Sequence, residues 1–338
     1  MTSDLSALTR APRLLFSIPL EPLQGKRFQP TGFPGLGAAT YETTNGTSLL
    51  VESAQSVANR LEKTIWDDVL QDVIPELSGL SHVRVMRKDQ FLTDTILEAH
   101  RLNSPYLLAG KDDTLLKALR TELGVLEKGP IDRRKLAQVL LKYDVGSLLH
   151  GVFLAKKELA GGRLRVARAL SAFIEAEGVR PAPSGGVKND HVDHSGDAKN
   201  GFGNIPFARD EFTAERITLY VNLDLSMLRG YGLGAEAENL LVILSLLKLR
   251  LLLSDSLRLR TACDLRPLSS TITATAPESF ALPLLEDLIP ALKAAIQTNK
   301  ARMTVTTVSY NDEFKQSKEK IKAGQQDDED STEARVGS

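Results

Sequence analysis

Three observations predict an α+β fold. Arg13–Leu20 and Arg216–Leu225 alternate apolar and polar residues with the period of a half-buried strand. Each is followed by a segment with helical apolar spacing, over 48–66 and 235–254. The elements also come in a telling order: strand, helix, strand, a long insertion, then strand, helix, strand. That is the split βαβ, ferredoxin-like order, RRM-like in its sheet, with a large central insertion. The expected division is a palm from 1–88 and 210–310, an inserted helical region over 89–209, and a separate acidic tail over 322–338.

Each element has its own justification. In the first strand Leu14, Phe16, Ile18 and Leu20 share a face. A Gly- and Pro-rich loop covers 21–41. Leu50, Ala54, Val57, Leu61 and Ile65 then make one helical stripe, with Ser48 as its expected N-cap. His82–Arg87 reads as the next strand. Helices are expected over 113–123 and 132–143, and a strand passing into a helix over 164–177. Residues 184–204 hold five glycines and read as a long loop. Ile217, Leu219, Val221 and Leu223 form the apolar face of the clearest strand, and 235–254 is apolar all round, as a buried helix should be. A strand over 256–265 places Leu257, Leu259, Thr261 and Cys263 on one face and Arg258 and Arg260 on the other. A helical pair broken or kinked at Pro290 and a strand over 304–310 complete the ordered part. The tail has the composition of a disordered segment.

Composition narrows the function class. Of 338 residues, 42% are apolar and 25% charged, which excludes a disordered or fibrous chain. The single cysteine, Cys263, forms no internal disulfide and fits a reducing compartment. The N-terminus has no secretory pattern. The longest apolar run, 240–253, is shorter than a bilayer span and contains Lys248 and Arg250. The expected location is cytoplasmic, with no membrane partner.

The net charge of −1 conceals a gradient. The tail holds two basic and five acidic residues, whereas 133–188 holds eleven basic and four acidic. A basic stretch on a neutral chain serves either a polyanion or an inert solvated helix face.

The motifs point the same way, each with a plainer reading beside it. Gln24–Gly37 packs Lys26, Arg27, Phe28, Gln29 and four glycines into one loop. Backbone amides and cations there suit a phosphate, and Phe28 or Phe33 suits base stacking; the alternative is a turn set by Pro30 and Pro34. It lacks the P-loop pattern. Gly161–Arg168 brings Arg163, Arg165 and Arg168 together after a double glycine, which fits phosphate contact or exposed surface. Arg258 and Arg260 face either RNA or a neighbouring carboxylate. The stretch Asp190–His194 has possible metal ligands but no metal-binding spacing, so neither metal nor cofactor is expected. Gly201–Phe207 echoes an RNP signature only faintly. The nucleophile-elbow pattern is missing, Cys263 reads as core, and Asp67 and Asp68 read as exposed helix positions. No catalysis is expected.

Six blocks, RFQPTGFPGLGAATY, LLVESAQSVANRLE, EAHRLNSPYLL, RVARALSAFIEA, SGGVKND and LRLRTACDL, together resemble one group. It is the backbone subunit of the Cascade surveillance complex of CRISPR-Cas subtype I-G, formerly I-U, in the RAMP superfamily. The similar blocks run from about Arg13 to Leu265. The resemblance implies a ferredoxin-like palm whose insertion forms finger and thumb elements. It implies a non-catalytic, crRNA-binding subunit of an antiviral ribonucleoprotein. Copies would polymerise head-to-tail along the guide and present it to target DNA. The other implied partners are the large subunit and the subunits capping the guide ends.

Carried over block by block, the resemblance implies RNA contacts at Lys26, Arg27, Phe28 and Gln29, at Arg60, and at Arg101 and Asn103. It implies a phosphate track at Arg163, Arg165 and Arg168. Gly185, Gly186, Lys188 and Asn189 would form the thumb or its base, and Arg258 and Arg260 would line the palm. Some related subunits cut RNA with a loop aspartate. A metal-dependent ribonuclease using Asp190 or Asp193 is therefore the alternative reading, and a general RNA-binding protein a third.

Overall fold

The computed structural model describes residues 5–33, 37–124, 130–192, 195–196, 203–255, 257–278 and 280–313. Strand β1, Leu14–Pro22, buries Leu14, Phe16, Ile18 and Leu20 as their alternation requires. Strands β2, Thr40–Thr43, and β3, Gly46–Glu52, form a hairpin. Helix α1 follows over Ala54–Lys63, with the Ser53 hydroxyl capping Ser56 N–H at 3.3 Å. The expected helix over 48–66 is therefore shorter and Ser48 is not its cap. Leu49 and Val51 alternate inward, so period two wins in that stretch.

Strands β4, His82–Arg87, and β5, Gln90–Asp94, lie apart from the main sheet. Helices α2, Thr114–Leu123, and α3, Arg133–Tyr143, match the helical spacing, and α4 follows over Val145–His150. Strands β6, Val152–Leu154, and β7, Leu164–Val166, pair with each other. Strand β8, Leu170–Glu177, buries Leu170, Ala172, Ile174 and Ala176 and shows no helix. The expected loop over 184–204 begins as β9, Ser184–Lys188, which pairs with β10, Ile205–Arg209. Asp193 and His194, part of Gly201–Phe207, the side chain of Phe33 and the acidic tail lie outside the described residues.

Strand β11, Arg216–Leu223, and helix α5, Ala235–Asp255, fall where the pattern put them. The expected strand over 256–265 is a tight hairpin of β12, Arg258–Arg260, and β13, Cys263–Pro267. Helix α6, Leu285–Asn299, runs through Pro290 without breaking. Strand β14 is Val305–Ser309.

The main sheet has seven strands in the order β12-β13-β1-β11-β8-β3-β2, every neighbouring pair antiparallel. Helix α1 packs on β8, and α5 packs against α1, α4 and α6. This sandwiching explains why α5 is apolar all round: Leu240, Leu241, Leu244 and Leu247 are each fully buried. The position expected for β4 is held by β8. Strand β4 instead pairs in parallel with β14 and antiparallel with β5. The long insertion thus runs from the end of α1 to β8, over 64–169, and the hairpin β9–β10 is a second, shorter excursion before β11.

The uncovered sheet face carries a stacked pair, Phe173 and Tyr220, with centroids 5.3 Å apart. The same row holds Glu175 and Glu177, and Glu177 takes up Arg216. Glu175 also accepts from Tyr41, whose hydroxyl is pushed up to about 12, chiefly by burial. With Glu177 paired to Arg216 and Glu175 to Tyr41, this row offers, among the described residues, no free cation to a polyanion, so its aromatic pair alone does not make it a nucleic-acid surface.

Candidate nucleic-acid interface

The strongest cation-lined concavity lies on the insertion. Its floor begins where α4 ends. Gly151 adopts a φ of +79°, and a Cβ there would stand 2.9 Å from Val166 O, so only glycine lets β7 cross at this distance. Gly162, at φ +71°, plays the same part at the other end of the hairpin, where a Cβ would meet Ala155 O at 2.7 Å. The double glycine of the sequence is thus a close-packing device. Between these points β6 and β7 alternate. Leu154 and Leu164 are fully buried, while Phe153 and Arg165, directly opposite in register, share the exposed face. The resulting groove has a volume of about 1240 Å³; besides these two residues it is lined by His100, Arg133, Arg168 and Tyr231. Arg133 and Arg165 are exposed there.

Not every arginine of this region faces outward. Arg101 is 6% exposed. Its Nε and Nη2 donate to the two carboxylate oxygens of Glu62 on α1, each at 2.6 Å, and Nη1 donates to Gly151 O at 3.3 Å. Arg168 donates through Nη1 to Ala54 O at 3.0 Å, through Nη2 to Gln55 Oε1 at 2.7 Å and through Nε to His150 O at 3.5 Å. Asn103 accepts from Ala155 N–H at 2.9 Å. These three tie the groove floor to α1 and the preceding turn: Arg101 is buried against Glu62, while Asn103 is half-buried and itself lines the groove. Arg163 is exposed and donates to Ala160 O at 2.9 Å.

Behind the floor lies a buried charged cluster: Glu62, Arg101, Asp144, His150 and Lys248. Lys248 Nζ lies 3.0 Å from His150 Nε2. Burial lowers the lysine to about 8, so it remains an ammonium at neutral pH. An ammonium only donates, so Nε2 accepts and Nδ1 carries the imidazole proton. Burial, with Lys248 and Arg101 adding to it, holds His150 well below its ordinary value and thus neutral.

Burial also pushes the Asp144 carboxyl up to about 6, against the opposing bond from the Ser147 hydroxyl. Unfolded, the same carboxyl titrates at about 3.9. The native state therefore binds the proton more tightly between those values, and this group's contribution to stability falls as pH rises from about 4 to about 6. Asp144→Asn should accordingly gain stability relative to the parent chain across that window and level off above it. Denaturant unfolding at a series of pH values measures this; a difference that stays flat from pH 4 to 7 would refute the assignment.

The other sequence-predicted residues divide between surface and scaffold. Phe28 is fully buried, and its N–H and C=O pair with Phe212 at 2.9 Å each, so it cannot stack on a base. Gln29 O accepts from Arg260 Nη1 at 2.8 Å. Buried Glu52 gathers Arg260 and Arg60, the latter at 3.0 Å, and Arg60 also donates to Arg258 O at 3.2 Å and Leu259 O at 2.5 Å. For Arg260 the plainer reading holds: it pairs with a neighbouring carboxylate. Lys26 and Arg258 are exposed, and Arg27 lies 3.6 Å from Glu211. Gly185, Gly186, Lys188 and Asn189 are exposed on the β9–β10 hairpin, among the exposed apolar residues Val187, Ile205 and Phe207. Asp67 ends a two-residue strand, Trp66–Asp67, and is not in a helix; its carboxylate accepts from Val69 and Leu70 N–H in the following turn. Cys263 is buried as read, its thiol pushed up to about 11 by burial. Among the described residues no group of three ligating side chains could hold a metal ion, and no helix is long and apolar enough to cross a membrane.

Sequence reading missed Phe153, Arg133 and the His150–Lys248 contact. The signal for Phe153 was present: VFL and LRV flank the double glycine with matched alternation.

Among solved structures, a chain of a "CRISPR RNA-guided surveillance complex, pre-nicking" aligns with 17% identity over 75% of each chain and a TM-score of 0.37. The Csc2 protein of Thermofilum pendens aligns with 10% identity over 89% of this chain and 83% of its own, with a TM-score of 0.33. No curated protein gives a significant match. The family model described as CRISPR-associated protein GSU0053 matches residues 14–181, a span holding β1, α1, the groove floor and β8. Over that span, just under half of its length and most of the candidate interface, the chain matches the GSU0053 family of CRISPR-associated proteins.

Proposed function

We propose that the chain is a non-catalytic guide-RNA-binding backbone subunit of a type I CRISPR surveillance complex. The observation that carries this is the coincidence of the family match with the cation-lined groove, which lies largely within the matched span. In this reading copies assemble head-to-tail along the crRNA in the cytoplasm and present it to target DNA, beside a large subunit and subunits capping the guide ends. A ferredoxin-like palm is part of the same proposal. It draws on the strand order β13-β1-β11-β8 and on the packing of α1 against β8 and of α5 against α1. The palm then comprises 1–63, β8 and 210–310, in place of the 1–88 and 210–310 expected from sequence, because β4 belongs to the insertion. The β9–β10 hairpin is the proposed thumb, which suits its exposed apolar residues.

No observation favours the ribonuclease alternative. Asp190 accepts from Val192 N–H and Gly203 N–H, each at 2.8 Å, which is turn chemistry.

The test is co-expression with a repeat–spacer array and the partner subunits, followed by sequencing of the RNA held by the purified particle. Uniform guide-length RNA in a large assembly is expected. A particle-free chain that stays empty when offered guide would overturn the proposal.

A further inference from the structure

We propose that Phe153 and Arg165 form a one-nucleotide platform in the groove, the ring stacking on a base and the guanidinium binding an adjacent phosphate. This rests on the reading of the chain as an RNA-binding subunit and assigns residues to it. Three features carry it. Phe153 is 54% exposed although its strand neighbours Val152 and Leu154 are buried, so the ring is presented, not stranded by poor packing. Its cross-strand partner is exposed Arg165, with exposed Arg133 on the same groove wall. An aromatic face beside cations is the combination that single-stranded nucleic acid requires. The third feature is independent. His150 also lines the groove, is 2% exposed, and its Nδ1 has no hydrogen-bond partner among the described residues. With Nε2 accepting from Lys248, that unpartnered atom is an N–H donor buried just beneath the groove surface.

The platform is held from behind. Arg101 fixes Gly151 O, Arg168 fixes His150 O, and Asn103 fixes Ala155 N–H, so both ends of β6 are pinned. A pinned strand presents its ring with little ordering cost on binding.

The full chain is titrated with single-stranded oligoribonucleotides carrying 2-aminopurine, whose fluorescence falls on stacking, and with DNA of the same sequence. Binding with quenching is expected, and the two oligomers tell whether guide or target strand occupies the site. Phe153→Ala should lose the quenching and weaken binding roughly 5- to 100-fold with an unchanged salt slope. Phe153→Tyr and Phe153→Trp should restore both, a rescue that a merely structural role would not give. Arg165→Ala should weaken binding and lower the salt slope by about 0.7. If the parent chain binds and Phe153→Ala binds and quenches equally, the platform is wrong and the backbone role stands. If the parent chain binds neither oligomer, the backbone role and the platform fall together.

Discussion

Arg101→Ala will cost about 3–5 kcal/mol of folding stability, and any loss of RNA binding will follow from that. The sequence block around Arg101 invites the opposite expectation, since an arginine in a basic region reads as a phosphate ligand. The geometry decides. A guanidinium that is 6% exposed, with Nε and Nη2 on Glu62 and Nη1 on Gly151 O, is not presented to a phosphate at the surface. Removing it leaves Glu62 in the interior without its ion-pair partner, which costs far more than the pair contributed. It also removes the cation that helps hold down the Asp144 carboxyl, so that carboxyl should rise further. Guanidinium chloride unfolding measures the first effect. Glu62→Leu combined with Arg101→Met should regain most of the loss, because both charges leave together. An Arg101→Ala chain that keeps its stability but loses RNA affinity would return this residue to the ligand surface.

The same distinction between a cation's type and its surroundings marks the limit of what the sequence revealed. Strands β1 and β11 and helix α5 were legible because burial on one face, or on all faces, leaves a period in the residues themselves. Strand β8 was obscured, although Leu170, Ala172, Ile174 and Ala176 alternate, because the short strand β7 runs into it and blurs the period. The exchange of β4 for β8 in the sheet was not legible at all. Val83 and Val85 specify a strand, but its partner β14 lies more than two hundred residues away, and local pattern carries no pairing information. The site divides similarly. A cluster of arginines at 163–168 is visible as a cluster, yet Arg165 projects outward while Arg168 is spent on Ala54 O and Gln55. Only the carboxylates and carbonyls brought near by the fold separate the two roles.

Phe28→Ala will be the mirror image of Phe153→Ala. Both phenylalanines sit in stretches rich in glycine and arginine, and both suit a stacking role by type. Phe28 is fully buried, between a backbone bridge to Phe212 and the apolar core beneath β1. Its truncation removes the transfer free energy of a whole ring and leaves a cavity, at a cost of about 3–5 kcal/mol. Phe28→Leu, which keeps most of the volume, should cost far less. In either variant the RNA affinity of the molecules that remain folded should be unchanged, because no surface atom has been altered. Phe153→Ala exposes no cavity, so its unfolding midpoint should stay at the parent value while base stacking is lost. Measuring unfolding and 2-aminopurine quenching on the two variants side by side crosses stability against binding. A Phe28→Ala chain of undiminished stability that fails to quench would place the stacking surface on the N-terminal loop. The groove would then be left as a merely cationic surface.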